Sequence, residues 1–99
     1  METVAERFLR YVAFDTQSDE LSETCPSTEK QKSLGRQLVA DMKAMGIADA
    51  RMDENGYVYG TVPGDPGLPT IGFISHMDTA PDAPGANIRA KIVPYSGED

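Results

Sequence analysis

The segment LPTIGFISH, residues 68–76, constrains the fold of this chain more than any other part of its sequence. It lacks strict alternation of apolar and polar residues and contains four large apolar side chains, Leu68, Ile71, Phe73 and Ile74. A nearly continuous apolar run of this length is typical of a strand covered on both faces. Gly72 weakens strand propensity and predicts a neighbour packed close against it. We therefore expect a buried strand with other strands beside it.

Two helices are predicted before this strand. Residues 3–14 place apolar side chains at helical spacing, with charged residues on the opposite side. Residues 28–45 begin with Thr28 and Gln31 at capping-box spacing, and Gly46 stands where a helix commonly ends. The second helix carries an apolar stripe, interpreted as core, that consists of Leu34, Leu38, Met42 and Met45 with Val39 beside it.

A hairpin is predicted between the second helix and the buried strand. Asn55-Gly56 is a strong turn signal because both residues tolerate positive φ, and it joins strands near 49–54 and 57–62. The order helix, helix, hairpin and buried strand favours an α/β class in which helices pack on a mixed β-sheet. A short strand-like piece at 88–93 is followed by a polar loop at 96–99.

Length, charge and cysteine content limit the classes of function. The 99 residues suffice for one domain with a modest core. The net charge of −7 disfavours nucleic-acid and anionic-membrane partners, because it would not neutralise phosphate or lipid headgroups. No secretory signal or run of roughly 18 apolar residues is visible. The single cysteine excludes an intrachain disulfide and fits a reducing compartment, so a cytoplasmic location is predicted.

The polar residues 15–27 are predicted to form a surface loop. Its acidic side chains, Asp15, Asp19, Glu20 and Glu23, are interpreted as a diffuse, solvated surface. Cys25 is interpreted as a free thiol without a function.

The chemistry of the chain is expected where the buried strand ends. His76, the only histidine, closes the apolar run, and ligands of open α/β sheets bind beyond the carboxyl ends of the strands. Imidazole is a common zinc ligand, and Asp78 is close enough to accept the other ring N–H and to orient the ring. The alternative is a hydrogen-bonded structural histidine. Because zinc sites need three or four ligands, either His76 is structural or its partner ligands lie elsewhere.

Four segments together resemble the peptidase T branch of the M20 family of zinc peptidases. They are ERFLRYVAFDTQS at 6–18, CPSTEKQ at 25–31, LVADMKAMGI at 38–47 and IGFISHMDTAPD at 71–82. The resemblance covers essentially the whole chain, and the FDTQS and GFISHMDTAPD pieces are specific to this branch.

The resemblance implies a catalytic α/β domain that holds two zinc ions and releases the N-terminal residue of tripeptides. It implies that His76 is a metal ligand and that Asp78 is the catalytic residue that orients it. The family's other ligands, its glutamate base and its dimerisation domain come later in such sequences. Residues 1–99 are therefore expected to be the N-terminal portion of one incomplete catalytic domain. The isolated fragment is expected to be inactive, and the full-length protein a cytoplasmic homodimer that acts on short peptides.

Two alternatives stay open at this point. A related M20 dipeptidase or N-acyl-amino-acid deacylase would share the His-x-Asp-Thr segment, since substrate choice depends on residues beyond Asp99. A metal-free interaction module would explain a lone histidine without a metal. If neighbouring strands are absent, we expect an unpaired strand edge and self-association or rearrangement of the tail from 83 to 99.

Overall fold

The computed structural model describes residues 1–97 and contains two helices followed by a hairpin, as predicted, but residues 68–76 form no strand. The elements are α1 (Val4–Val12), α2 (Gln31–Ala44), β1 (Arg51–Met52) and β2 (Val58–Tyr59). β1 and β2 pair antiparallel, with Met52 opposite Val58. The described residues also contain one isolated parallel bridge, between Gln17 and Thr79. The combination of helices and strands is confirmed, but these residues do not form the predicted mixed sheet.

Helix α1 begins at a capping box that its apolar spacing does not reveal. Thr3 Oγ1 accepts the N–H of Glu6 at 3.1 Å, and Glu6 Oε2 accepts the N–H of Thr3 at 2.7 Å. No residue of α1 is fully buried. The helix is joined to α2 by polar contacts, because the Asp41 carboxylate accepts from the Tyr11 hydroxyl at 2.7 Å and from Arg10 at 2.8 Å. These donors hold the pKa of Asp41 below its ordinary value.

Helix α2 starts three residues later than the sequence predicts. Lys30 is its N-cap residue and makes no side-chain cap. The expected capping box at Thr28 and Gln31 is wrong, because the Gln31 N–H bonds to the main-chain oxygen of Thr28 at 3.3 Å rather than to its hydroxyl. The Thr28 hydroxyl instead accepts from the Gln31 side-chain amide at 3.0 Å and donates to the main-chain oxygen of Gln17 at 2.8 Å.

The C-terminal end of α2 follows the prediction for Gly46. This residue has φ of 94°, and its N–H donates to Lys43 O at 3.0 Å. The N–H of Ile47 donates to Met42 O at 3.0 Å. These two bonds form a Schellman motif, which requires the left-handed conformation that glycine adopts without a Cβ clash.

The hairpin turn differs in detail from the predicted one. Gly56 has φ of 83°, whereas Asn55 is not among the described residues with positive φ. The Gly56 N–H donates to Asp53 O at 3.1 Å, and the Asp53 N–H donates to Tyr57 O at 2.9 Å. This is a three-residue loop that ends in a left-handed glycine, so only one of the two turn residues needs positive φ.

The core lies between α2 and the hairpin and is small. Leu34 and Ala50 are the buried apolar residues of the described chain. Gly35 allows close approach, since a Cβ there would clash with the sulfur of Met52. The interpretation of Met45 as core is wrong, because it is the C-cap residue and more than half exposed.

The apolar run 68–76 is not buried, which contradicts the strongest expectation from the sequence. Phe73 is 94% exposed and Ile74 is 99% exposed. Nothing lies within 4 Å of a Cβ built at Gly72, so the predicted close neighbour is also absent there. The described chain exposes 8171 Å², against roughly 5,500 Å² for a compact monomer of its mass. The run is uncovered because burial needs partner strands, and residues 1–97 supply none to it.

The tail adds no regular element within the described range. Residues 83–97 form neither helix nor strand, so the strand-like piece at 88–93 is not formed. The loop predicted at 96–99 extends into Glu98 and Asp99, which lie outside the described residues. In residues 1–97, no helix combines the length and the apolar character needed to cross a bilayer.

The first prediction concerns the end of α2. Gly46→Ala forces a Cβ into the left-handed region, and the free energy of unfolding should fall by about 1–2 kcal/mol. Urea unfolding followed by circular dichroism measures the change. Gly64→Ala is the matched control, because Gly64 has no neighbour within 4 Å and is not among the positive-φ glycines. Equal stability of the two variants would contradict the Schellman end.

The second prediction concerns the uncovered run. Its unpaired main-chain groups and apolar side chains should cause self-association, visible in sedimentation velocity as the concentration rises. Ile74→Lys places a charge in the run and should shift the chain toward monomer. Val62→Lys makes a comparable change at an exposed apolar residue outside the run and should not. A clean monomer of the unaltered chain at high concentration would count against this expectation.

Candidate functional site

His76 and Asp78 contact each other directly at the end of the apolar run. His76 Nδ1 lies 2.9 Å from the main-chain oxygen of Asp78 and 3.1 Å from its Oδ1. A carbonyl oxygen can only accept, so Nδ1 carries the proton and donates to Asp78. In the neutral ring the lone pair is then on Nε2, the nitrogen left free for a ligand. The His76 side chain is 85% exposed and that of Asp78 is 41% exposed.

The turn after His76 is held by a segment from the start of the chain. The Ser18 N–H donates to Thr79 O at 2.9 Å, and the Thr79 N–H donates to Thr16 O at 3.0 Å. These bonds form the isolated parallel bridge, and they immediately follow Asp78 in sequence. The pair His76–Asp78 is therefore attached to the rest of the structure through Thr79.

Two clefts adjoin the segment 75–78. One has a volume of about 720 Å³ and is lined on its other side by residues 25–27 and the hairpin. The second has a volume of about 830 Å³ and is lined by α1 and by the loop after Thr79. Both clefts have more apolar than polar lining, and His76 lines each of them. The imidazole is thus reachable from two sides.

The described residues do not assemble a complete metal site. Within residues 1–97, no group of three or more histidine, cysteine, aspartate or glutamate side chains is placed to hold one ion. Cys25 shares the first cleft with His76, but its sulfur lies 3.7 Å from the Tyr57 hydroxyl instead. This contact with Cys25 raises the pKa of Tyr57. The interpretation of Cys25 as a residue without function stays a prediction.

The loop 15–27 is more structured than its composition predicts. Glu20 and Glu23 are exposed, in agreement with a solvated acidic surface. Asp15 is the exception, because its carboxylate accepts from Lys30 Nζ at 2.9 Å and from the N–H of Gln17 at 3.1 Å. Lys30 first, and then the Gln17 N–H, lower the pKa of Asp15 from its ordinary value.

Sequence reasoning missed the residues that anchor the turn, Thr16, Gln17 and Ser18. Thr16 is buried although it lies in a polar, aperiodic stretch. The FDTQS segment was notable only for its resemblance to one branch of peptidases, which assigned no role to these side chains. Main-chain pairing over such a sequence distance leaves no local pattern that could have shown it.

Comparison with curated proteins finds peptidase T relatives over 97–100% of this chain. Peptidase T of Desulfitobacterium hafniense strain Y51 is 55% identical over 102 aligned residues, which cover 100% of this chain and 25% of that protein. The resemblance to peptidase T is confirmed. Peptidase T of Clostridium acetobutylicum is 51% identical with the same coverage, and peptidase T of Geobacillus sp. strain WCH70 is 50% identical over 97% of this chain. No protein-family model matches the chain.

The chain spans about a quarter of the length of these peptidase T proteins. The similarity therefore includes the whole candidate site as described here, with His76, Asp78 and the anchoring segment 16–18. The other three quarters of each relative have no counterpart among these 99 residues.

The third prediction concerns the proton on His76. At a pH where the ring is neutral, nitrogen-15 spectra should show Nδ1 protonated and Nε2 unprotonated, because Asp78 offers two acceptors to Nδ1. Asp78→Ala removes the carboxylate and keeps the main-chain oxygen, so the ring should become a mixture of both tautomers. Asp82→Ala removes an acid that does not contact His76 and should leave the spectrum unchanged. A ring protonated mainly at Nε2 in the unaltered chain would contradict the observed geometry.

Proposed function

We propose that this chain is part of a zinc-dependent aminopeptidase of the M20 family that releases the N-terminal residue of tripeptides. The observation that carries the proposal is the bond from His76 Nδ1 to Asp78, which leaves Nε2 free, within a chain 50–55% identical to peptidase T proteins. A ligating histidine usually gives its second N–H to a carboxylate or a carbonyl. Here Asp78 offers both acceptors to the same nitrogen.

The residues present fit one corner of a zinc site. His76 would supply a single ligand through Nε2, and its high exposure leaves that nitrogen accessible. Asp78 would fix the ring orientation and the tautomer, and its negative charge would make the imidazole a stronger ligand. The remaining ligands and the general base would come from elsewhere in the protein, since within residues 1–97 no group of three or more candidate ligand side chains is placed to hold one ion.

The metal would supply Lewis-acid chemistry, because zinc polarises a carbonyl and lowers the pKa of water. The residues of this chain contribute orientation rather than proton transfer. Asp78 holds the His76 proton at Nδ1, and the clefts on both sides of residues 75–78 leave room for a short peptide beside the ring. On this proposal the isolated chain is inactive, because one ligand and one orienting acid make no reaction centre.

The proposal also covers the substrates, metal ions, partners and location of the whole protein. Short peptides, in particular tripeptides, are the proposed substrates, with two zinc ions in the complete enzyme. For these 99 residues, the net charge of −7 argues against nucleic acid and anionic membranes as partners. A homodimer in the cytoplasm is the proposed form, and the single cysteine is compatible with that compartment.

Two other functions remain as alternatives with distinct signatures. A dipeptidase or N-acyl-amino-acid deacylase of the same family would keep His76 and Asp78 in these roles and would differ in substrate. A metal-free interaction module would keep the fold without zinc. The coding sequence past Asp99 distinguishes the enzymes from the interaction module. A continuation with an aspartate ligand and a glutamate pair supports an enzyme, and a stop codon supports the module.

The fourth prediction tests the metal. Zinc titration of the 99-residue chain, followed by the ring signals of His76, should show weak binding that disappears in His76→Ala. In the complete protein, Asp78→Ala should lower metal affinity or tripeptide turnover about 10–100-fold, as for other carboxylates that orient ligating histidines. Asp82→Ala serves as the matched control in both forms.

Several results would overturn parts of this proposal. Clear tripeptide turnover by the 99-residue chain with zinc would refute its inactivity. Tight stoichiometric zinc binding by that chain would reveal a ligand set other than the one proposed. Full activity of the complete protein carrying His76→Ala would refute the role of His76.

A further inference from the structure

The peptide unit between Asp78 and Thr79 is bonded at both of its ends. Its carbonyl accepts from His76 Nδ1 at 2.9 Å, and its N–H donates to the main-chain oxygen of Thr16 at 3.0 Å. A peptide unit is planar, so the directions of its C=O and N–H cannot change independently. Whatever fixes the Thr79 N–H therefore also aims the Asp78 carbonyl at His76.

Gln17 attaches the following loop to the same segment. Its Nε2 donates to Pro81 O at 3.0 Å and to Ala83 O at 2.9 Å, which uses both N–H groups of the side-chain amide. Two residues of this loop, Pro81 and Pro84, have no N–H of their own to donate. One side chain thus holds two points of the loop immediately after Asp78 and Thr79.

Gln17 is itself held from several directions. Its N–H donates to Asp15 Oδ1 at 3.1 Å, and its main-chain oxygen accepts from Thr28 Oγ1 at 2.8 Å. Asp15 is in turn paired with Lys30, the N-cap residue of α2, at 2.9 Å. At the far end of the loop, a Cβ on the buried Gly85 would clash with the Asp15 carboxylate and would lie only 3.1 Å from Gln17. The segment 15–18 is therefore a support fixed to α2, rather than a free loop.

We propose that Gln17 is a positioning residue, which holds the loop after Asp78 so that the 78–79 peptide unit and the Asp78 carboxylate stay aimed at His76. The inference rests on the proposed function only in taking His76 and Asp78 as the functional pair. Gln17 acts on them through Thr79, Pro81 and Ala83 and touches neither ring nor carboxylate.

We expect the N–H groups of the Gln17 side-chain amide, and not the size of the side chain, to hold the loop after Asp78 in place. Gln17→Glu keeps the length but presents a carboxylate to two carbonyl oxygens, so both hydrogen bonds are lost. Gln17→Ala removes the side chain. Gln17→Lys retains N–H donors on a long side chain. Gln37→Ala is the matched control, because Gln37 is a half-buried glutamine on α2 whose amide bonds to Asp41, away from the site.

The fifth prediction is tested in the 99-residue chain. The two readouts are hydrogen exchange of the Thr79 amide and the nitrogen-15 signals of the His76 ring. With Gln17→Glu or Gln17→Ala, exchange of the Thr79 amide should become about tenfold faster, since two hydrogen bonds that hold the loop are lost. The His76 ring, at a pH where it is neutral, should shift from the Nδ1-protonated form toward a mixture. Gln17→Lys should restore part of both signals, and Gln37→Ala should change neither.

These outcomes separate the inference from the proposed function. Unchanged Thr79 exchange and an unchanged ring spectrum in Gln17→Glu would overturn the positioning role, even if His76 binds zinc. If Gln17→Ala unfolds, as judged by circular dichroism, the comparison of Gln17→Glu with Gln17→Lys decides the inference. A ring that responds to Gln17→Glu, together with a complete protein whose His76 binds no zinc, would support the positioning role and overturn the metal function.

Discussion

The planar peptide unit between Asp78 and Thr79 is the constraint on which the candidate site depends. It receives the His76 N–H at one end and gives its own N–H to Thr16 at the other. Because both bonds share one rigid plane, the free nitrogen of the only histidine is directed by a segment from the beginning of the chain. The two halves of the candidate site are thus the end of the apolar run and a distant loop.

Hydrogen bonds, rather than apolar burial, hold this arrangement in the described chain. The core between α2 and the hairpin contains two buried apolar residues, and the run that leads to His76 is exposed. A single hydrogen bond contributes only about 1 kcal/mol to stability, so the turn depends on several bonds that meet there. The run is anchored at its carboxyl end by the 16–18 segment, while its apolar residues have no cover from residues 1–97.

The local features were predicted correctly because each is decided within a few residues. Helical spacing and the glycine at position 46 identify α2, and the Asn55-Gly56 pair identifies the hairpin. The detailed use of a polar side chain was missed, as at Thr28, whose hydroxyl bonds to the Gln31 side chain and to the Gln17 main chain without capping the helix. The contact of His76 with Asp78 was foreseeable, since the two residues are two positions apart and the donor and the acceptors match.

The burial expected for residues 68–76 shows the limit of this reasoning. An apolar run indicates which residues need cover, but the cover itself is supplied by other strands. In the part of the chain that the structure describes, those strands are missing, so the pattern does not become a buried strand. Gln17 illustrates the opposite case, because a polar residue in a loop carries no pattern and acquires its place only from partners at Pro81 and Ala83.

The sequence by itself determined the two helices, the hairpin, the pairing of His76 with Asp78 and the resemblance to peptidase T, because spacing and short motifs encode interactions between near neighbours. Only the tertiary structure decided that Asp15 pairs with Lys30, that residues 16–18 bond to Thr79, and that the apolar run is uncovered. These contacts join residues far apart in the chain, and their existence depends on the path of the backbone rather than on any local pattern.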